Sequence, residues 1–133
     1  MSKSGQSNRV KQAEQLVQQG NPSAAVGLLQ QELQGNPRSV EALHMLATIY
    51  CQNNRLREAI PLMQQAIQIR PTVQTLNNLG VLYMKLGMLV HAEQVLKQGL
   101  QLDGRHGMAR LTYAYALMGR GKVGEAIDHF RQG

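Results

Sequence analysis

Four residues able to act in catalysis or metal binding, Glu41, His44, Thr48 and Cys51, fall at spacings of three, four and three. That spacing places them on one face of a helix. A cysteine with a histidine raises thiol nucleophilic catalysis, but seven residues of helix separate them by about 10 Å along the axis. Activation of a thiol needs a direct hydrogen bond to its base, so the pair is too far apart. Glu41 and His44 offer two neighbouring metal ligands without the third and fourth that complete a site. His91, His106 and His129 occupy unrelated positions and do not converge. Gly119-Arg-Gly-Lys-Val-Gly124 spells the three-glycine dinucleotide string. That string works only after a strand and with an acidic residue about 20 positions on. Here Leu111 to Met118 has helical register, and nine residues follow Gly124. No paired carboxylates, Ser-His-Asp set or phosphate loop occurs in the chain. The residues predict a protein that is not an enzyme, with no catalytic, cofactor-binding or metal site.

Composition narrows the class. The 133 residues are 43% hydrophobic and only 4% aromatic, with no Trp. This is ordinary for a folded domain and poor for an aromatic-rich β-sandwich or a base-stacking platform. The single cysteine, Cys51, excludes an internal disulfide and a Cys-rich zinc site. The longest apolar stretches, such as Ala24 to Leu29, are far short of the roughly 18 residues that span a bilayer. The polar start, Met1 to Asn8, lacks the apolar core of a secretory signal. A cytoplasmic protein without membrane insertion is expected. The net charge of +6 raises nucleic acid as a partner. The basic residues are scattered, however, and the densest local pair is Arg55 with Arg57. Phosphate-tracking grooves concentrate their charge, so nucleic-acid binding is not the expected function.

The elements that position these residues are written in a repeat. Ala25, Ala59, Ala92 and Ala126 stand 34, 33 and 34 residues apart. Gly20, Asn54, Gly87 and Gly121 precede them by five; Ala13, Ala47, Gly80 and Ala114 by twelve; Leu16, Tyr50, Tyr83 and Leu117 by nine. Leu29, Met63, Leu96 and Phe130 follow by four, and Pro37, Pro71 and Gly104 by twelve. Apolar residues between the columns recur at helical spacing, so each block reads as two amphipathic helices. The Gly or Asn column ends the first helix in a left-handed conformation. The small columns let the two helices approach closely. The closing Pro or Gly stops the second helix. Asn21-Pro22 reads as an N-cap followed by a first-turn proline.

This pattern resembles the tetratricopeptide repeat, a 34-residue helix-turn-helix unit. The strongest matches are Leu43 to Tyr50 with Glu58-Ala-Ile and Pro71, and Leu76 to Tyr83 with His91-Ala-Glu. The resemblance implies an all-α, right-handed superhelical solenoid of about four repeats, at 6–39, 40–72, 73–106 and an incomplete 107–133, behind a flexible leader 1–5. Departures concentrate at the ends. Arg9 and Arg110 replace a large apolar residue, Gln12 stands where other blocks have Leu46, Leu79 and Tyr113, and Glu32 replaces a small residue. Terminal repeats of solenoids are commonly atypical. Pro61, inside the second helix of block two, predicts a slight bend. In the last block, Val123, Ile127 and Phe130 are expected to pack inward on their own hairpin. The face that a following helix would cover is expected to be bare, marking either a fragment of a longer protein or a homodimer contact.

In tetratricopeptide-repeat proteins the first helices line a concave groove, and five positions on each contact ligand. By register the resemblance assigns Ser7, Val10, Glu14, Val17 and Gln18 in block one, and Glu41, His44, Thr48, Cys51 and Gln52 in block two. Block three supplies Gln74, Asn77, Val81, Met84 and Lys85; block four supplies Met108, Leu111, Tyr115, Met118 and Gly119. The terminal-carboxylate clamp and the asparagine ladder of two family subgroups are matched only by Asn78, so neither specialisation is expected. A methionine-rich apolar patch is expected instead, and methionine adapts to varied peptide partners. The expected function is a non-catalytic protein-interaction scaffold binding a peptide or protein in its groove. The alternative is an N-terminal recruitment domain of a larger bacterial enzyme such as a glycosyl- or sulfotransferase.

Overall fold

The alternation of apolar stripes and turn residues produces helices throughout. The structure, a computed structural model, describes residues 8–122 together with 125, 127 and 131. Among them are α1 (Asn8–Gln18), α2 (Pro22–Gly35), α3 (Val40–Gln52), α4 (Leu56–Ile69), α5 (Val73–Lys85), α6 (Leu89–Leu102) and α7 (Gly107–Gly119), and no strand. The leader 1–5, with Val123 and Phe130 of the last block, lies outside the described residues. Ile127, expected to pack inward, is instead 44% exposed. Its apolar character marked it for burial, but helical periodicity cannot say whether a partner surface reaches it.

The chain divides into two compact units, residues 1–70 and 71–133. In the first, α1 packs on α2 and α3 on α4, while α1 and α2 also meet α3. Val10, Ala13, Ala25, Leu29, Ala42, Leu46 and Ile49 form its core. In the second, α5 packs on α6, and α7 packs against both.

The turn column sets the hairpins. Gly20, Asn54, Gly87 and Gly121 take φ of 82, 61, 75 and 79°. In each turn the next residue's N–H reaches back five residues: Asn21 to Leu16, Arg55 to Tyr50, Met88 to Tyr83 and Lys122 to Leu117, at 2.7–2.8 Å. This is the Schellman closure, which satisfies carbonyls that the helix end leaves open. Asparagine is the residue besides glycine that tolerates this conformation best, which explains Asn54. Arg55 braces its turn by donating from Nε and Nη2 to Glu58 at 2.7 Å each, with its guanidinium 5.1 Å from the Tyr50 ring centre.

Helix starts are set differently in α3, α5 and α7 than in α2, α4 and α6. Ser39 Oγ, Thr72 Oγ1 and His106 Nδ1 accept from Ala42, Thr75 and Ala109 N–H at 3.3, 3.1 and 3.1 Å, opening α3, α5 and α7. Asn21 makes no side-chain cap, contrary to the expectation for α2, whose start rests on Pro22 instead. Its backbone N–H serves instead in closing the preceding turn on Leu16. α4 runs through Pro61, which faces outward.

Small residues bring the paired helices together. A Cβ on Gly80 would lie 2.5 Å from Leu96 Cγ, and one on Gly99 would lie 3.3 Å from Leu76 Cβ. Gly119 similarly receives Leu89, whose Cδ1 would be 2.9 Å from an added Cβ. The Arg9 and Glu32 departures belong to the same two columns as Leu76 and Gly99. Nη1 of Arg9 lies 3.7 Å from Oε1 of the buried Glu32, so an ion pair replaces an apolar knob over a small residue.

A second ionic cluster ties the end of α7 to α6. Glu93 accepts from Lys122 Nζ at 2.8 Å and from Arg120 Nη1. Burial alone would push the Glu93 carboxyl up, but the hydrogen bonds and charges of Lys122 and Arg120 outweigh it and hold it below its ordinary value of 4.5. The Tyr113 phenol beside it is pushed up, first by burial and then by Glu93 and Glu125.

Two outcomes follow. Gly80→Ala gains about 1 kcal/mol of helix propensity but collides with Leu96, for a net loss of up to about 2 kcal/mol in urea unfolding. Glu93 binds its proton more weakly folded than unfolded. Its stabilisation is therefore complete above the ordinary carboxylate range and lost as pH falls through the lower folded value. Acid unfolding of Glu93→Gln should accordingly begin from a lower plateau and show a shallower dependence below pH about 4.5.

Candidate functional site

The groove positions fall into two environments. In the first unit, Glu14 and Thr48 are exposed and Glu41, His44 and Cys51 half-buried. Val10, assigned to the groove by register, is fully buried in the core: α1 turns this position toward α2 and α3, where its branched side chain is covered. The Thr48 hydroxyl donates to the His44 carbonyl at 2.9 Å, so its polarity is spent on its own helix. Arg70, absent from the sequence assignment, brings Nη2 to 3.8 Å from Glu41 Oε1. Burial, followed by Arg70, pushes the His44 imidazole below its ordinary value despite Glu41. These residues form a weakly charged polar strip. No group of three His, Cys, Asp or Glu is placed to hold a metal among the described residues.

In the second unit, Val81 and Met84 are half-buried and Lys85 is exposed on α5. Asn77 is only 7% exposed, and its Oδ1 is the one buried side-chain oxygen or nitrogen among the described residues without a hydrogen-bond partner. An unsatisfied buried amide oxygen costs about 1–3 kcal/mol.

Among the described residues, α7 carries most of the exposed large hydrophobic side chains. Met108, Leu111, Tyr115 and Met118 are 59, 39, 52 and 45% exposed. Ala109, Thr112, Tyr113, Ala114, Ala116 and Leu117 are buried on the opposite side. Thr112 hides its hydroxyl by donating to the Met108 carbonyl at 2.7 Å. The outward sector of α7 therefore has no charged side chain, and its one charged residue, Arg110, is half-buried off that sector. Side chains at spacings of three, four and three form a continuous stripe about 15 Å long. The His106 cap orders the first turn of α7, and at its other end Leu89 packs on Gly119. The glycine string that begins at Gly119 follows this helix, and Gly121 is a hairpin turn residue.

Comparison with known proteins agrees with this architecture. Two tetratricopeptide-repeat sequence profiles match, over residues 16–76 and 73–106. The chain belongs to the tetratricopeptide-repeat family and forms an all-α solenoid of that class. A crystal structure of MamA superposes with a TM-score of 0.85 at 21% identity, covering 92% of this chain and 72% of that one. YrrB, described as a TPR protein with an unusual peptide-binding site, gives 0.84 at 18% identity, covering 97% and 68%. Aspartyl/asparaginyl beta-hydroxylase of Mus musculus is 30% identical over 79 residues, 59% of this chain and 11% of that protein. The chain thus spans about a tenth of the length of the curated relatives it matches. No helix among the described residues is long and apolar enough to cross a membrane.

The unpartnered Asn77 oxygen yields a test. Asn77→Leu removes the unsatisfied acceptor while keeping the same side-chain branching, and should raise the free energy of unfolding by about 1 kcal/mol in urea titrations if the neighbours accept the larger methyl groups.

Proposed function

We propose that this chain is a non-catalytic module that binds a peptide or protein partner through the groove positions of its first helices. Glu14, Glu41 and His44 supply polar contacts; Val81, Met84 and Lys85 supply mixed ones; Met108, Leu111, Tyr115 and Met118 are the apolar anchors. Asn77, being buried, and Thr48, whose hydroxyl is bonded within α3, drop out of the contact set. The observation that carries the reading is the outward apolar stripe of α7. Monomeric proteins rarely leave a contiguous apolar surface of this kind uncovered, and such patches mark interaction sites. Its methionines adapt to different side chains at little cost. The family membership and the peptide-binding site named for YrrB support the same reading. The single thiol, Cys51, is the ground for placing the module in the reducing cytoplasm. Scattered cations argue against nucleic acid as the partner. Self-association through the same face would appear as a concentration-dependent dimer in light scattering.

A second reading is favoured by the mouse and human hydroxylases, in which the matched stretch is a small part of a long enzyme. In that reading the module recruits a substrate or partner for a catalytic region elsewhere, in a hydroxylase or in a glycosyl- or sulfotransferase. An immunoblot of the source cells separates the two: a band near 14.7 kDa supports the free module, a much larger one the recruitment segment.

Replacing Tyr115 and Met118 together with Asp should reduce capture of the bound partner by at least about tenfold, because each carboxylate must be desolvated in the contact. Circular dichroism should show unchanged helicity, since both side chains point outward. Undiminished capture would place the docking surface elsewhere.

A further inference from the structure

We propose that the exposed face of α7 receives an acidic amphipathic helix from a partner protein, its apolar side seated on Met108, Leu111, Tyr115 and Met118. The inference rests on α7 being a docking surface and adds the shape and charge of what docks there.

The shape follows from spacing. Steps of three, four and three are the a and d positions of a heptad, the seam along which one helix takes another. Along α7 these side chains recur about every 5 Å. A helical ligand presents its own anchors at the same interval. An extended ligand presents same-side residues about every 6.6 Å and drifts out of step. A small residue stands beside the seam at its start, where Gly107 is exposed with open space around it. It leaves a second helix room to come close. A helix apolar on every side is the pattern of one covered on every side.

The charge follows from what surrounds the stripe. Residues 71–133 carry seven Lys and Arg against four Asp and Glu. Glu93 is shared between Arg120 and Lys122, and Asp103 accepts the Arg105 backbone N–H at 3.1 Å. Arg105, three residues before Met108, and Lys85, at the end of α5, form no salt bridge with a described carboxylate. A second copy is a poor occupant. Antiparallel pairing of two α7 seams sets Arg105 of one chain near the Arg120 and Lys122 end of the other, where Glu93 and the nearby Glu125 already balance the two cations. Parallel pairing sets Arg105 against Arg105. A second copy thus offers Arg105 and Lys85 no partner, whereas acidic residues flanking an apolar seam are attracted.

The test uses the full 133-residue chain and synthetic helices of about 18 residues, long enough to hold helical structure. One peptide carries Leu at a and d with Glu and Gln elsewhere; its twin replaces every Glu with Lys; a third is the Glu peptide broken by two central prolines. By fluorescence anisotropy at low salt, the Glu peptide should bind about tenfold or more tightly than the Lys twin. The gap should close at about 1 M salt, where screening extends only about 3 Å. Leu111→Asp and, as a milder change, Tyr115→Ser should each weaken binding of the Glu peptide at unchanged helicity. Equal affinity for the Glu and Lys peptides overturns the acidic partner. If that shared binding stays sensitive to Leu111→Asp, the docking role of α7 survives. Equal binding of the proline-broken peptide overturns the helical partner. Binding of every peptide unaffected by both substitutions overturns the docking surface itself. A dimer that Leu111→Asp dissociates identifies a second copy as the occupant and overturns the proposal.

Discussion

Close approach of paired helices is the constraint on which the rest of this structure depends. A stack of hairpins has no single central core, so each helix is stabilised only by its immediate neighbours. Leu96 fits over Gly80, Leu76 over Gly99 and Leu89 over Gly119 because no Cβ stands in the way. The buried alanines Ala25, Ala59 and Ala92 hold the same place in the second helices. With so few aromatics, aliphatic knobs over small residues supply most of the burial. Each fully buried leucine contributes about 1.5–3 kcal/mol. Where one column loses its small residue, as at Glu32, the facing column changes too, and Arg9 replaces packing with charge. Arg9 is half exposed, so the pair is partly screened by water and gives less net stability than the buried leucine over glycine that it replaces.

The same constraint gives α7 its character. One side must carry Ala109, Ala114, Ala116 and Leu117 to pack on α5 and α6. Its cap at His106 and the Glu93 cluster at its other end then fix which residues face out. What faces out is apolar, unlike the outward sides of α1 and α3, which present Lys11, Glu14, Gln15, Thr48 and Gln52. Anchoring of the helix at both ends matters for recognition because a pre-formed seam loses little conformational freedom when a partner binds.

Much of this was legible in residue types at fixed spacing. The turn residues, the close-approach columns and the helical stripes are local requirements, and each restricts which side chains are tolerated. The side-chain caps were harder to read. Ser39 and Thr72 are ordinary N-cap types just ahead of a helical stripe, and that signal was available. His106 belongs to the same column but is an unusual cap, and its role emerges only from the 3.1 Å bond to Ala109. Asn21 shows the opposite case: a favoured cap residue whose side chain caps nothing, while its backbone N–H closes the preceding turn.

The sequence by itself determined the fold class, the hairpin turns and the candidate stripe on α7, because helical period and turn chemistry act over a few residues. Only the tertiary structure decided that Val10 is core rather than groove, that Asn77 is buried with an unpartnered oxygen, and that Ile127 is exposed. It also brought Arg70 to Glu41 and Arg120 to Glu93 across 29 and 27 residues, separations at which spacing carries no preference. Burial and long-range pairing depend on which surfaces meet, and that is set by the packing of whole helices rather than by any residue's neighbours in the chain.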